Sequence, residues 1–212
     1  MSKTDAPPVM ARKERKANAD MRRLQLLNAT LRSIAANGLT KTTLATVAKE
    51  AGLSQGVAVF YFHTKTGLLT EALREHYRRY EHNWTSHLSK ANAAPLSQLM
   101  AMIKADFEPE VCNPEALSIW FAFWGEQNFT PQYAEISAQI DRNRATALQQ
   151  ICRKLMVGSP AGKADEMGAW IDTLTDGFWQ KLHLFPEEFS REDALSATLS
   201  LVAQLLPEHV IG

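Results

Sequence analysis

Thr42-Thr43-Leu44-Ala45-Thr46-Val47-Ala48-Lys49-Glu50-Ala51-Gly52-Leu53-Ser54-Gln55-Gly56, followed by Tyr61-Phe62-His63-Thr64-Lys65 and Leu68-Leu69, is the stretch that decides the fold. Thr42 or Thr43 can cap a helix whose inner stripe is Leu44, Val47, Ala48 and Ala51. Gly52 ends that helix, because a tight turn asks for the positive φ that glycine adopts without strain. Leu53 then serves as an apolar plug, and Ser54 caps a short third helix over roughly Gln55 to Phe60. A bracing helix, a tight turn and a second short helix are what a protein needs to hold one helix in a DNA major groove. Ala48 is small where the two helices cross. Ser54 offers its hydroxyl and a helix N-terminus to a phosphate. Gly56 lets the backbone approach DNA closely, and Lys65 adds charge at the start of a fourth helix.

Upstream, Leu24, Leu27, Leu31 and Ile34 recur at helical spacing, so a first helix is predicted from about Asp20 to Asn37-Gly38. Residues 1–19 carry Pro7-Pro8, mixed charge and few apolar side chains, and are expected to form a disordered basic arm. They contain no apolar core of the kind a signal peptide has. Downstream, a long fourth helix runs from about Lys65 to His87 or Leu88, with Leu69, Leu73, His76, Tyr80 and Trp84 in one stripe. Prolines then punctuate the chain and bound helices near 96–107, 114–128, 132–156, 163–184 and 190–206. Asn113-Pro114-Glu115 and Ser190-Arg191-Glu192-Asp193 read as helix starts, each a capping side chain followed by proline or acids in the first turn. No segment alternates with period two. The expected fold is all-α with about nine helices: an arm over 1–19, a helix-turn-helix domain over 20–64, and a helical ligand-binding and dimerisation domain over 65–212.

A net charge of zero hides an asymmetry. Residues 1–80 hold 14 Lys/Arg against 6 Asp/Glu, whereas residues 81–212 hold 9 against 17. A basic N-terminal third suits a reader of polyanions, although a solvated basic tail would give part of the same excess. The longest apolar run, Leu117 to Trp124, is too short to cross a bilayer, so no membrane partner is expected. Cys112 and Cys152 are few and far apart, which reads as two reduced core thiols in a cytoplasmic protein. There is no G-x-S-x-G, no phosphate loop and no metal-spaced His pair. No enzyme activity, metal or cofactor is therefore expected.

The Thr42–Gly56 run and the Tyr61-Phe62-x-x-Lys65-x-x-Leu68-Leu69 run together resemble the TetR family of transcriptional repressors. The resemblance is specific over about residues 20–70, and chain length and helix number extend it. It implies that the first three helices bind palindromic operator DNA as a homodimer, and that the later helices bind an inducer and dimerise. The implied DNA contacts are Thr43, Ser54, Gln55, Gly56, Val57, Tyr61 and Lys65, with Gln55 able to pair bidentately with adenine. Many members carry Tyr where Val59 stands. Here Tyr61 becomes the phosphate candidate, Val59 an apolar contact or core residue, and Phe62 core.

Glu115–Trp124, Ile171–Trp179 and Phe62–Leu69 further resemble the choline-sensing BetI branch, which implies control of genes for making glycine betaine from choline. Trp120 and Trp124 are four apart and share a helix face, and Trp179 lies on a later helix. Aromatic faces hold a quaternary ammonium, and an acid nearby adds attraction; Asp176, Asp172 and Glu126 are available. Trp120, Trp124, Asp176 and Trp179 are the expected ligand residues. The same aromatic stripe would serve equally as core, or as the wall of a pocket for an uncharged hydrophobic inducer. Leu195, Leu199, Val202 and Leu206, with small Ala194, Ala197 and Ser200, form a stripe suited either to a twin helix or to the chain's own core.

Overall fold

The computed structural model describes residues 8–206, and within them the chain is nine helices and no strand. They are α1 (Pro8–Lys41), α2 (Leu44–Glu50), α3 (Gln55–Phe62), α4 (Lys65–Lys90), α5 (Pro95–Asp106), α6 (Pro114–Glu126), α7 (Pro131–Leu155), α8 (Ala161–Leu184) and α9 (Arg191–Leu205). The helix starts are where capping chemistry puts them. Thr43 closes a capping box with Thr46, the Ser54 hydroxyl accepts from Val57 N, and Asn113 Oδ1 accepts from Ala116 N at 2.8 Å. Ser190 and Asp193 form a second box at α9. Pro95, Pro114 and Pro131 stand in the first turns of α5, α6 and α7, where a missing N–H leaves nothing unpaired.

Several expectations are corrected. Residues 8–19, expected to be disordered, are the beginning of α1; residues 1–7 of that arm lie outside the described residues. Pro8 suits a first helical position, and Lys13-Glu14-Arg15-Lys16-Ala17 are good helix formers that need no burial to propagate a helix already nucleated downstream. At its other end α1 kinks at Gly38 (φ 75°) and runs on to Lys41 rather than stopping. The third helix continues past Phe60 to Phe62.

Contacts divide the chain into two compact units after Ala72, inside α4. In the first unit, Leu26, Leu27 and Ile34 of α1, Val47 and Ala48 of α2, Ala58 and Phe62 of α3, and Leu68 of α4 are all buried, and α2 lies against α1 and α3. In the second unit α7 lies against α8 and α5, and α8 also meets α6 and α9. Leu99, Met102, Ile103, Phe123 and Leu148 are among its most buried side chains. Leu73, His76, Tyr80 and Trp84 are all buried, as the α4 stripe requires. Burial raises the free thiols of Cys112 and Cys152 to about 12 and about 11, so both are inert near neutrality.

The α9 stripe divides. Ala194, Thr198, Val202 and Leu206 are buried in their own unit, so Ala194, Val202 and Leu206 do not belong to an outward face. Ala197, Ser200 and Leu201 remain exposed. On α8 an outward stripe runs through Trp170, Thr173, Gly177 and Leu184 at helical spacing. Among the described residues, no helix is long and apolar enough to cross a membrane, and no group of three or more His, Cys, Asp or Glu could hold a metal ion.

Candidate functional site

In the first unit, α2 and α3 meet through a turn at Gly52, whose φ of 67° is the positive value the turn needs. Leu53 N donates to Ala48 O at 2.9 Å and closes the corner. α3 then buries Ala58 and Phe62, four apart, against its own unit. The opposite face is Gln55, Gly56, Val59 and Phe60, all exposed, and Ser54 at the N-cap is exposed too. Val57 and Tyr61 of α3, and Thr43 at the start of α2, are half-buried. Lys65 Nζ donates to the Thr40 carbonyl at 2.6 Å, so this lysine ties the start of α4 to the end of α1. Of the DNA residues named from sequence, Gln55 and Gly56 lie on this outward face of α3, and Ser54 caps its start. Val59, read as contact or core, is 40% exposed, and Phe60, which was not chosen, is 73% exposed.

The second unit holds a cavity of about 320 Å³. Its aromatic wall is Tyr77 and Tyr80 from α4, Trp120 and Trp124 from α6, and Trp179 from α8. Its polar wall is Asp141 and Arg144 from α7, Asp172 and Asp176 from α8, and Gln127. All four ligand residues expected from sequence therefore line one space; Asp172 joins them, and Glu126 is exposed outside it.

Trp120 is the centre of the aromatic packing. Its ring stacks on Trp179 at 5.9 Å and meets Tyr77 and Tyr80 edge-on at 4.6 and 5.6 Å. Trp124 lies 6.1 Å away and is half-buried, with a face left for the cavity. His76 sits 4.2 Å from Trp120; burial drops its pKa to about 3, so it is neutral and takes no part in charge balance.

The charges are unequal. Arg144 is 3% exposed, pairs with buried Asp106, and donates to Asp172 at 2.6 Å. Asp106 also accepts from the Tyr80 hydroxyl at 3.1 Å, while its backbone carbonyl accepts from Trp179 Nε1 at 2.9 Å. One guanidinium thus faces Asp106, Asp141, Asp172 and Asp176. Desolvation, and then Asp172, push Asp141 up to about 6 and Asp176 up to about 7. Carboxyls raised in this way hold protons to higher pH than an ordinary aspartate, although Arg144 pulls both the other way. Among the described residues, Trp120 Nε1 and Arg144 Nε are buried donors without a hydrogen-bond partner. A small organic cation would meet the aromatic faces and the acids together.

Comparison with known proteins agrees with both halves. Residues 26–72 match the family described as bacterial regulatory proteins, tetR family, and residues 95–207 match the BetI-type transcriptional repressor C-terminal family. The chain belongs to the TetR family. As a TetR-family repressor with a BetI-type C-terminal domain, it is 31% identical over 191 residues to the HTH-type transcriptional regulator BetI of Burkholderia mallei, covering 90% of this chain and 96% of that one. The BetI of Paraburkholderia xenovorans is 32% identical over 176 residues, 83% of this chain and 89% of the relative. Among solved structures, a putative transcriptional regulator from Pseudomonas aeruginosa superposes with TM-score 0.76 at 22% identity, covering 89% and 91% of the two chains. One from Saccharomonospora viridis, solved in complex with choline, gives 0.74 at 18% identity over 85% and 94%.

Five cavity residues of this TetR-family chain were missed in the sequence, Tyr77, Tyr80, Gln127, Asp141 and Arg144, as was Asp106, the buried partner of Arg144. Arg144 did leave a signal. It falls on the apolar stripe Tyr133, Ser137, Leu148, Ile151, all buried, where a charged residue calls for a buried partner. Asp106 and Asp141 left none.

Proposed function

We propose that this repressor binds a palindromic operator as a dimer through α3 and is released by a small organic cation of the choline type held in the α4–α6–α7–α8 cavity. The observation that carries the effector assignment is the pairing of an aromatic wall with more carboxylates than the single guanidinium can balance. Each aromatic face in contact with a quaternary ammonium contributes about 0.5–2 kcal/mol, and the acids add Coulomb attraction. The choline complex of the Saccharomonospora viridis protein supports the same ligand class. Genes of choline and glycine betaine metabolism are the targets this reading implies. An uncharged hydrophobic inducer would leave the acids without a counter-charge.

The DNA half rests on α3 and its surroundings, with Gln55 reading bases and Ser54, Thr43, Tyr61 and Lys65 set for phosphates. Dimerisation is assigned to the outward faces of α8 and α9, where exposed Trp170, Leu184 and Leu201 flank small Gly177, Ala197 and Ser200. α4 is one continuous helix from Lys65 to Lys90 that carries Tyr77 and Tyr80 into the cavity wall. A ligand-driven shift of it, coupled by about 1–3 kcal/mol, suffices for a switch. Operator selection from random duplexes followed by sedimentation of the complex tests this half. Two protomers on one palindrome are expected; a monomer on an asymmetric site would refute it.

The charge pattern also sets the sign of a pH dependence. Asp141 and Asp176 face Asp172 and Arg144 in a cavity that the phenols of Tyr77 and Tyr80 also line, and Asp176 is further raised by Asp106. A cation prefers the ionised acids, so binding expels protons wherever they are still held. Choline affinity is expected to rise from about pH 5.5 to about pH 7.5, by up to about tenfold per pH unit for each proton released, and to level off above. Stability of the ligand-free protein carries the opposite sign. Asp176, raised from 3.8 to about 7, binds more protons folded than unfolded in that interval, so its contribution is present at low pH and is lost as pH rises through about 7. Calorimetry in buffers of different ionisation enthalpy counts the protons; a flat profile with none released would defeat the coupling.

A further inference from the structure

α3 turns an unusual face outward for a surface helix. Val59 is 40% and Phe60 73% exposed, in a unit that buries Ala58 and Phe62 on the other side. Gln55 and Gly56 complete the outward face one turn earlier, and Gln55 is the only one of the four with a hydrogen-bonding side chain. Tyr61 meets Phe60 edge-on at 5.2 Å, which orients the ring without covering it. Gly56 is informative for a separate reason. A Cβ there would meet nothing closer than Ser54 Oγ at 3.8 Å, so nothing inside the protein requires glycine. Gly56 stands in the first turn of α3, and the open space above it leaves the helix backbone accessible to a molecule from outside.

We infer that Gly56, Val59 and Phe60 form an apolar reading surface for thymine methyl groups in each operator half-site. This rests on the DNA-reading role proposed above and adds the base it selects. In the major groove only an A·T pair presents a methyl group, and apolar side chains are what recognise it. A surface with one amide and two exposed apolar side chains has little means of reading guanine or cytosine by hydrogen bonds. It can combine Gln55 on adenine with Phe60 and Val59 on thymines beside it. Gly56 lets the helix approach until those contacts close. The operator is expected to carry an A/T-rich reading core in each half-site, where oriented thymines, not merely A·T pairs, are required.

The test replaces thymine by deoxyuridine, one position at a time, in the operator selected from random duplexes. This removes the methyl group and leaves the base pairing intact. For the wild-type protein, one or two such positions per half-site are expected to weaken binding roughly fourfold each, the equivalent of one methyl-sized group lost from burial, and on the order of fifteenfold when both half-sites are changed. Phe60→Ala, at an exposed site, should keep its melting temperature, bind the thymine operator more weakly, and no longer distinguish it from the deoxyuridine one. Gly56→Ala should melt no lower than wild type yet bind less tightly. If the wild type binds its operator specifically and no deoxyuridine position matters, or if Phe60→Ala stays as sensitive as wild type, the inference falls and the DNA-reading assignment stands. If no duplex is preferred over random DNA, the assignment itself falls.

Discussion

Replacing Arg144 with leucine is expected to destabilise the second unit by about 3–5 kcal/mol, the largest stability effect of any single substitution in the cavity wall. The reason is not that the buried pair is strong. Removing the guanidinium leaves Asp106, with 0% of its surface exposed, without its counter-charge and with only the Tyr80 hydroxyl donating to it. Burial already raises the Asp106 carboxyl against the opposing pull of Arg144. In the variant it would take up a proton, so the loss should be smaller at about pH 5 than at about pH 8. Arg144→Leu combined with Asp106→Leu should recover part of the loss, because two apolar groups replace an orphaned charge. Denaturant unfolding followed by circular dichroism measures all three variants. A single-variant loss below about 1 kcal/mol would mean that Arg144 and Asp106 are not the buried pair described.

Trp124→Ala is expected to abolish the response to choline while leaving operator binding near that of the wild type. Trp124 is the more revealing of the paired tryptophans, because Trp120 is 2% exposed under Tyr77, Tyr80, Trp179 and Trp124, so truncating it would damage the fold as well as the site. Losing one aromatic face should weaken choline binding by about two- to thirtyfold. Asp176→Asn should have a comparable effect by a different route, and should also remove the stronger part of the pH dependence. In calorimetry, Trp124→Ala should keep the full pH dependence in its residual affinity, whereas Asp176→Asn should keep only the smaller part that Asp141 contributes. Choline binding unchanged in both variants would move the effector site away from this cavity.

Much of this organisation was open to view in the sequence, for local reasons. Helix starts announce themselves through Thr43, Ser54, Asn113, Ser190 and the prolines, because capping is settled within one turn. The three tryptophans and Asp176 could be gathered from helical spacing and a resemblance to known repressors. What could not be read was set by distant pairing. Asp106 and Arg144 are 38 residues apart, and Asp141-Arg142-Asn143-Arg144 reads as a solvated run until α5 and α8 close over one of its four side chains. The start of α1 was placed late because Pro8 and a polar segment resemble a linker, whereas a helix nucleated by Leu26, Leu27 and Ile34 propagates backward through good helix formers. Within Gly56–Phe62, nearly every residue is apolar, so the face that turns outward is decided by what α1, α2 and α4 cover.

The most direct test of a cation-released repressor is operator binding measured by fluorescence anisotropy at about pH 7.5 with increasing choline, and in parallel with its uncharged isostere, 3,3-dimethylbutan-1-ol. Choline is expected to lower operator affinity by about five- to 150-fold, the range of a coupling of about 1–3 kcal/mol, and the isostere to have little effect at equal concentration. Equal release by the two compounds would contradict the cation assignment and leave a plain apolar pocket, and no release by either would contradict choline-type induction.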